Sequence, residues 1–230
     1  MILISILGLA FAQPSFLDLQ DRYPLLYEKR IAIQPRPTRA GHLRFVGSDL
    51  EDPQWTALYL HRYRNLSEST EVRRALLDLM YRCNQRLPSE VWDTFEEEPP
   101  RIRESIVEMS TYSSSIFEMA SQDSDPTVQA ALIRVIAKSP QSPSNFIVES
   151  LKSEDLVVLR EAARAAHQRS RKDAVPLLSG LLTHEDPQLI LRALFALSKL
   201  DPRHAKEMVR THNLDQSTHH NIAHFAASLL

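Results

Sequence analysis

From about residue 67 to the C-terminus, apolar side chains recur three or four positions apart, the spacing that gathers them on one face of a helix. Ala75, Leu76, Leu79, Met80 and Cys83 make one such face. The pattern returns in blocks. Glu71-Val72-Arg73-Arg74-Ala75-Leu76 opens one helix, and Arg101-Ile102-Arg103-Glu104-Ser105-Ile106 opens the next. Asp125-Pro126-Thr127-Val128 with Ala131-Leu132 follows, then Asp155-Leu156-Val157-Val158-Leu159 with Ala162-Ala163, then Asp186-Pro187-Gln188-Leu189 with Ala193-Leu194. Ile222-Ala223 marks a weaker last copy. With the small residue as reference (75, 105, 131, 162, 193, 223) the intervals are 30, 26, 31, 31 and 30. Such a period belongs to supersecondary units that stack.

The better copies share one grammar. An Asp, Glu, Ser or Thr precedes the helix and can accept hydrogen bonds from its first N–H groups. Proline at the first helical position removes an N–H that would have no intrahelical partner anyway. The small residue lets neighbouring helices approach, and large apolar residues flank it, as Leu76 and Leu79 or Leu132 and Val135 do. A shorter second helix is expected after each first one, at Ser89–Glu97, Ser114–Ala120, Asn145–Leu151, Ala174–Leu182 and His204–His212. One pair cannot bury both of its apolar faces, so pairs must stack side by side.

Asp-Pro, an aliphatic, a basic residue and Ala-Leu or Ala-Ala at a period near 31 resembles HEAT repeats, and within them the short HEAT-like variant of the phycobilin lyases. The copy from Asp155 to His167, with Val158, Arg160, Ala162, Ala163 and Ala166, matches best although it has no proline. The resemblance covers about residues 67–230. It implies an all-α chain built as a right-handed α-solenoid of about five helical pairs, and it transfers no catalytic residue to any position here.

The start of the chain follows another pattern. Residues 2–9 are mostly apolar, and Ala10-Phe11-Ala12 is a small-x-small cleavage pattern, so residues 1–12 read as a secretory signal peptide, though one lacking a basic n-region. Export to the periplasm or the medium follows if that signal acts, and a cytoplasmic location otherwise. Residues 13–66 read as an N-terminal arm with a capping helix. Pro14, Pro24, Pro35, Pro37, Gly41 and Gly47 interrupt residues 13–52, where Ile31-Ala32-Ile33 and Leu43-Arg44-Phe45-Val46 are strand-like. Asp52-Pro53 then starts a helix to about Asn65, carrying Trp55, Leu58, Tyr59 and Tyr63. Asn65-Leu66-Ser67 has the form of a glycosylation sequon.

Composition narrows the function. The formal net charge of −2 argues against sequence-independent nucleic-acid binding. Four glycines leave no Gly-rich phosphate loop, and the single cysteine, Cys83, sits on an apolar helix face as a buried thiol. No cofactor is expected. Among nine histidines, His220 and His224 stand four apart and could share a metal ion. Asn221 occupies the place where zinc proteases carry Glu, and Asp215 is spaced to meet His219 instead, so a solvated terminal helix is the preferred reading. Ser113-Ser114-Ser115 reads as a turn between helices, and Glu96-Glu97-Glu98 before Pro99-Pro100 as a solvated loop.

The expected function is that of a non-catalytic protein–protein interaction scaffold. Its contacts would come from polar residues of the second helices: Asp93, Glu97, Glu118, Glu149, Lys152, Lys206 and Arg210. The alternative is a ligand-binding or lyase-like enzyme with a pocket between the arm and the repeats.

Overall fold

A computed structural model describes residues 56–230, and every regular element among them is helical. The signal-like segment, the arm with its strand-like fragments, and Trp55 lie outside the described residues. The chain divides into two compact units, Met1–Met109 and Ser110–Leu230.

In the first unit, α1 (Thr56–Tyr63) packs on α2 (Thr70–Asn84), and α2 packs on α3 (Pro100–Glu108). Ser69 caps α2 by accepting from the Val72 N–H, and Gln85 ends it in the left-handed conformation at φ 56°. Between α2 and α3 the expected second helix at Ser89–Glu97 is replaced by two single 3-10 turns, Ser89–Val91 and Phe95–Glu97. The reason lies in the packing. Only Val91 and Phe95 are buried there, Trp92 stacks on Phe95 at 5.2 Å, and Glu98 turns inward just before Pro99 and Pro100 stop the turn.

The second unit holds α4 (Ser114–Ser121), α5 (Pro126–Lys138), α6 (Asn145–Ser150), α7 (Leu156–Ala166), α8 (Val175–Gly180), α9 (Pro187–Leu200), α10 (Pro202–Thr211) and α11 (His220–Leu229). The first helices of the pairs, α5, α7, α9 and α11, pack each on the next. The second helices fill the gaps: α6 touches α5 and α7, and α10 touches α9 and α11. Side-chain caps set the starts. Asp125 accepts from the Thr127 N–H, Asp155 from Val157 and Val158, Asp186 from Leu189, and Asp201 from His204. Each such cap is worth about 1 kcal/mol. Pro126, Pro187 and Pro202 stand in the first turns, where their missing N–H costs nothing.

Counted from the capping residue, the third helical position is aliphatic and buried in every first helix: Val72, Ile102, Val128, Val158, Leu189 and Ile222. Full burial of one such side chain stabilises by about 1.5–3 kcal/mol. The small-residue slot is looser. It falls six residues after the cap at Ala75, Ser105 and Ala131 but seven after it at Ala162 and Ala193. In α11, which starts 33 residues after α9, the buried small residue is Ala226, while Ala223 is only half-buried. The last copy therefore registers three residues later than the Ile222-Ala223 pairing suggests.

Candidate functional site

All seven polar residues expected to meet a partner are exposed. Asp93 and Glu97 belong to the first unit, on the irregular stretch that holds the two 3-10 turns. Glu118 lies on α4, Glu149 on α6, Lys152 just beyond α6, and Lys206 and Arg210 on α10. Lys152 pairs with Glu149 at 2.9 Å, so these two neutralise each other locally. Lys206 Nζ reaches the Leu230 carbonyl at 3.5 Å, a weak contact.

Beside Glu118 and Glu149 sits an aromatic cluster that the sequence does not announce. Phe117 of α4 meets Phe146 of α6 edge to face at 5.2 Å, and Tyr112 meets Phe117 at 6.4 Å. All three rings are half-exposed, whereas Ile116, Ala120 and Ile147 turn inward on the same helices. The signal lay in the two half-turn positions Phe117 and Phe146, but their pairing depends on how the two short helices are set side by side.

The histidines at the end of the chain are dispersed. His204 Nε2 lies 2.9 Å from the Ser179 hydroxyl, and His219 is the residue before α11. The His220 and His224 rings stand face to face with centroids 6.1 Å apart, and both side chains are exposed. Among the described residues no group of three or more His, Cys, Asp or Glu is placed to hold a metal ion. Asp215 lies in a separate 3-10 turn, Leu214–Gln216. A pocket of about 200 Å³ opens between the first turns of α9 and α11, lined by Pro187, Leu191, His219 and His220 among others. That is below the roughly 300–1,000 Å³ of small-molecule sites. The pocket expected between arm and repeats involves residues outside those described.

Ser113 caps α4 through its hydroxyl, while Ser114 and Ser115 lie in the first turn of that helix rather than in a turn between helices. Cys83 is buried in α2. Asn65 Oδ1 accepts from the Ser67 amide at 3.1 Å and the Ser67 hydroxyl at 2.8 Å, and Leu66 is exposed.

The acidic run departs from expectation. Glu96 and Glu97 are solvated, but Glu98 is buried. Its Oε1 accepts from the Tyr63 hydroxyl at 2.8 Å and from Arg73 Nη2 at 2.5 Å. Arg73 also donates through Nε to the Tyr63 carbonyl at 2.9 Å and lies 4.6 Å over the Tyr63 ring. Burial first, then the Glu98 hydrogen bond, push the Tyr63 phenol far above its ordinary range. The charge run alone gives no sign of this, because the cation that draws the Glu98 carboxylate inward lies 25 residues earlier.

One comparison with known proteins agrees with the repeat grammar. Residues 113–198 match the family model described as HEAT repeats. The resemblance read from the sequence therefore holds over α4 to α9. No curated protein matches the chain. Among solved structures, the crystal structure of an engineered protein is 18% identical, covering 88% of this chain and 92% of its own, with a TM-score of 0.38.

Proposed function

We propose that the chain is a non-catalytic protein-binding scaffold whose contact surface is carried by its second helices. The observation that carries the reading is the half-exposed aromatic cluster of Tyr112, Phe117 and Phe146, on short helices that also bear the exposed Glu118 and Glu149. Partly exposed aromatics within a polar rim have the make-up of an interface centre, where a few rings supply most of the binding energy. The setting supports it: the HEAT-type segment repeats a helical pair with a solvated second helix, and such repeats commonly mediate protein interaction. Rings held edge to face at 5.2 Å lose little freedom when a partner covers them, so binding at this point costs little ordering entropy.

The scaffold is proposed to act outside the cytosol. The apolar run at residues 2–9 and Ala10-Phe11-Ala12 support that location. Mass spectrometry of the native protein's N-terminus tests it, and a mature chain beginning at Met1 overturns it.

The binding reading is tested by affinity capture from the native fraction, comparing the wild-type chain with Phe117→Ala/Phe146→Ala and with Glu118→Lys/Glu149→Lys. One recurrent protein, retained by the wild type and lost from both folded variants, is the expected result. An identical set of captured proteins in all three overturns it.

A further inference from the structure

The long helices of the second unit carry a charge pattern unlike that of the whole chain. α5 bears Arg134 and Lys138, α7 bears Arg160 and Arg164, and α9 bears Arg192 and Lys199. Against these six cations the three helices contain one carboxylate, Glu161. Glu161 lies beneath the surface with its side chain 9% exposed. Arg164 Nε donates to it at 2.8 Å, while Arg134 and Arg192 approach its other oxygen at 3.9 and 3.8 Å. One buried negative charge is thus hydrogen-bonded to Arg164 and has a guanidinium from each neighbouring helix within 4 Å, all three partly exposed, while Arg192 Nη1 donates to the Arg160 carbonyl at 3.0 Å. Arg160 is forked onto Asp186 at the start of α9, and that carboxyl is also largely covered. On α9, Phe195 is 38% exposed, meets the edge of His167 at 5.2 Å, and has Lys199 Nζ 5.4 Å from its centroid.

We infer that this band across α5, α7 and α9 is a second docking surface, and that its occupant is a short acidic segment of a partner protein. The surface is distinct from the aromatic cluster, because it lies on the first helices of the pairs. Charge complementarity identifies the occupant: the cations face solvent and their intramolecular carboxylates face inward. Guanidinium groups already oriented from below present their remaining N–H groups to a carboxylate at small entropic cost. Packed helices lie about 8–10 Å apart, and a peptide in the polyproline II conformation rises about 3.1 Å per residue and returns every third side chain to the same face. An acidic residue at every third position therefore meets each helix in turn. Phe195 offers an apolar side chain of the same segment a place to rest.

The geometry favours a peptide over a nucleic acid. The N-terminal ends of the same helices carry acids, Asp123 and Asp125, Glu154 and Asp155, and Glu185 and Asp186. These confine the basic band to the turns after the first, room for one extended segment across them. A long polyanion would run into the acidic edge, and it gains most from unpaired cations.

The test is fluorescence anisotropy with the full chain and three labelled probes of equal charge. One is a peptide with Asp at every third residue and one Phe, one has the same residues with the Asp contiguous, and one is a single-stranded oligonucleotide. The spaced peptide is expected to bind, more tightly than the other two, with affinity falling as salt rises. Arg164→Gln/Arg192→Gln is expected to weaken it about tenfold or more, and Lys199→Gln serves as a second variant if that pair fails to fold. Glu118→Lys/Glu149→Lys leaves it unchanged, which separates this surface from the one proposed above. Three results overturn the inference: no binding of the spaced peptide, binding indifferent to the arginine and lysine variants, or preference for the oligonucleotide, which would assign the band to nucleic acid.

Discussion

Glu98→Gln is the sharpest test of how the first unit holds together. The substitution keeps the shape and removes the charge. Arg73 and Glu98 side chains are 5% and 4% exposed, so the guanidinium would stay buried with no carboxylate against it. The new amide can still accept from Tyr63 and Arg73, but only through one oxygen. Its NH₂ would take the place of Glu98 Oε2, which has no hydrogen-bond partner, so two donors are added where nothing accepts. Removing one member of a buried pair costs about 3–5 kcal/mol. The triple change Tyr63→Phe/Arg73→Met/Glu98→Met removes all the coupled groups together. It should cost less than Glu98→Gln alone, because apolar groups of similar volume leave no buried charge behind. Urea unfolding measures both. The two tryptophans, Trp55 and Trp92, fall within Met1–Met109, so their fluorescence follows the first unit while circular dichroism follows all the helices. A Glu98→Gln variant within about 1 kcal/mol of wild type would refute the claim that this carboxylate neutralises a buried cation.

Three further outcomes follow from the same geometry. The Tyr63 phenol is raised above its ordinary value of 10.0, so the folded state keeps a proton that the unfolded state loses; stability is complete below about pH 10 and falls as pH rises beyond it, by about 1.4 kcal/mol per unit at most. Tyr63→Phe should remove that alkaline limb in urea titrations at rising pH. His167 is shifted the other way, below 6.5, mainly because burial disfavours its charged form, and its Nδ1 is buried without a hydrogen-bond partner. The unfolded state then binds the proton first, so stability falls as pH drops below about 6.5, and thermal melts of His167→Gln should show a shallower acid limb. In the row three residues after the caps, Leu189→Ala should cost about 2–5 kcal/mol in urea unfolding, whereas Val157→Ala, at a position 41% exposed, should stay within about 0.5 kcal/mol.

The repeat was legible because its start signals are local. Asp125, Asp155 and Asp186 bond to N–H groups two or three residues on, and Pro126 and Pro187 fix the first turn, so no distant contact is needed to read them. The small-residue period was a poorer ruler. It marks where a neighbouring helix comes close, and that point shifts by a residue as helices rotate, from Ala131 in α5 to Ala162 in α7. The segment Ser89–Glu97 failed as a helix for a tertiary reason, since Glu98 is drawn to Arg73 and the stretch before it must turn to allow this. Side-chain exposure of Glu118 or Arg210 followed from polarity alone. The Phe117–Phe146 pairing did not, because apolar residues on a short helix look the same whether they face the core or a neighbour's rim.

The basic band shows why net charge misleads for a stacked chain. Along the sequence, Arg134, Arg160, Arg164 and Arg192 are scattered among acids, and the sum is slightly negative. Stacking sorts them. Acids gather at helix starts, where they cap N–H groups and complement the helix dipole. The basic residues occupy later turns, Arg134, Arg164 and Lys199 among them. A repeat applies this sorting in register, so a preference worth a fraction of a kcal/mol per helix becomes a continuous stripe once three helices lie side by side. Glu161 then sits at the centre of the stripe, hydrogen-bonded to Arg164 and within 4 Å of Arg134 and Arg192, so a single buried carboxylate attracts one arginine from each helix. Its loss should therefore loosen the band as a whole. Glu161→Gln is expected to leave the helices folded, since the three guanidiniums are 26–37% exposed and can turn to water. It is also expected to weaken the spaced acidic peptide despite adding net positive charge. If the extra charge instead strengthened binding, orientation from below would not matter, and the band would be no more than a diffuse field.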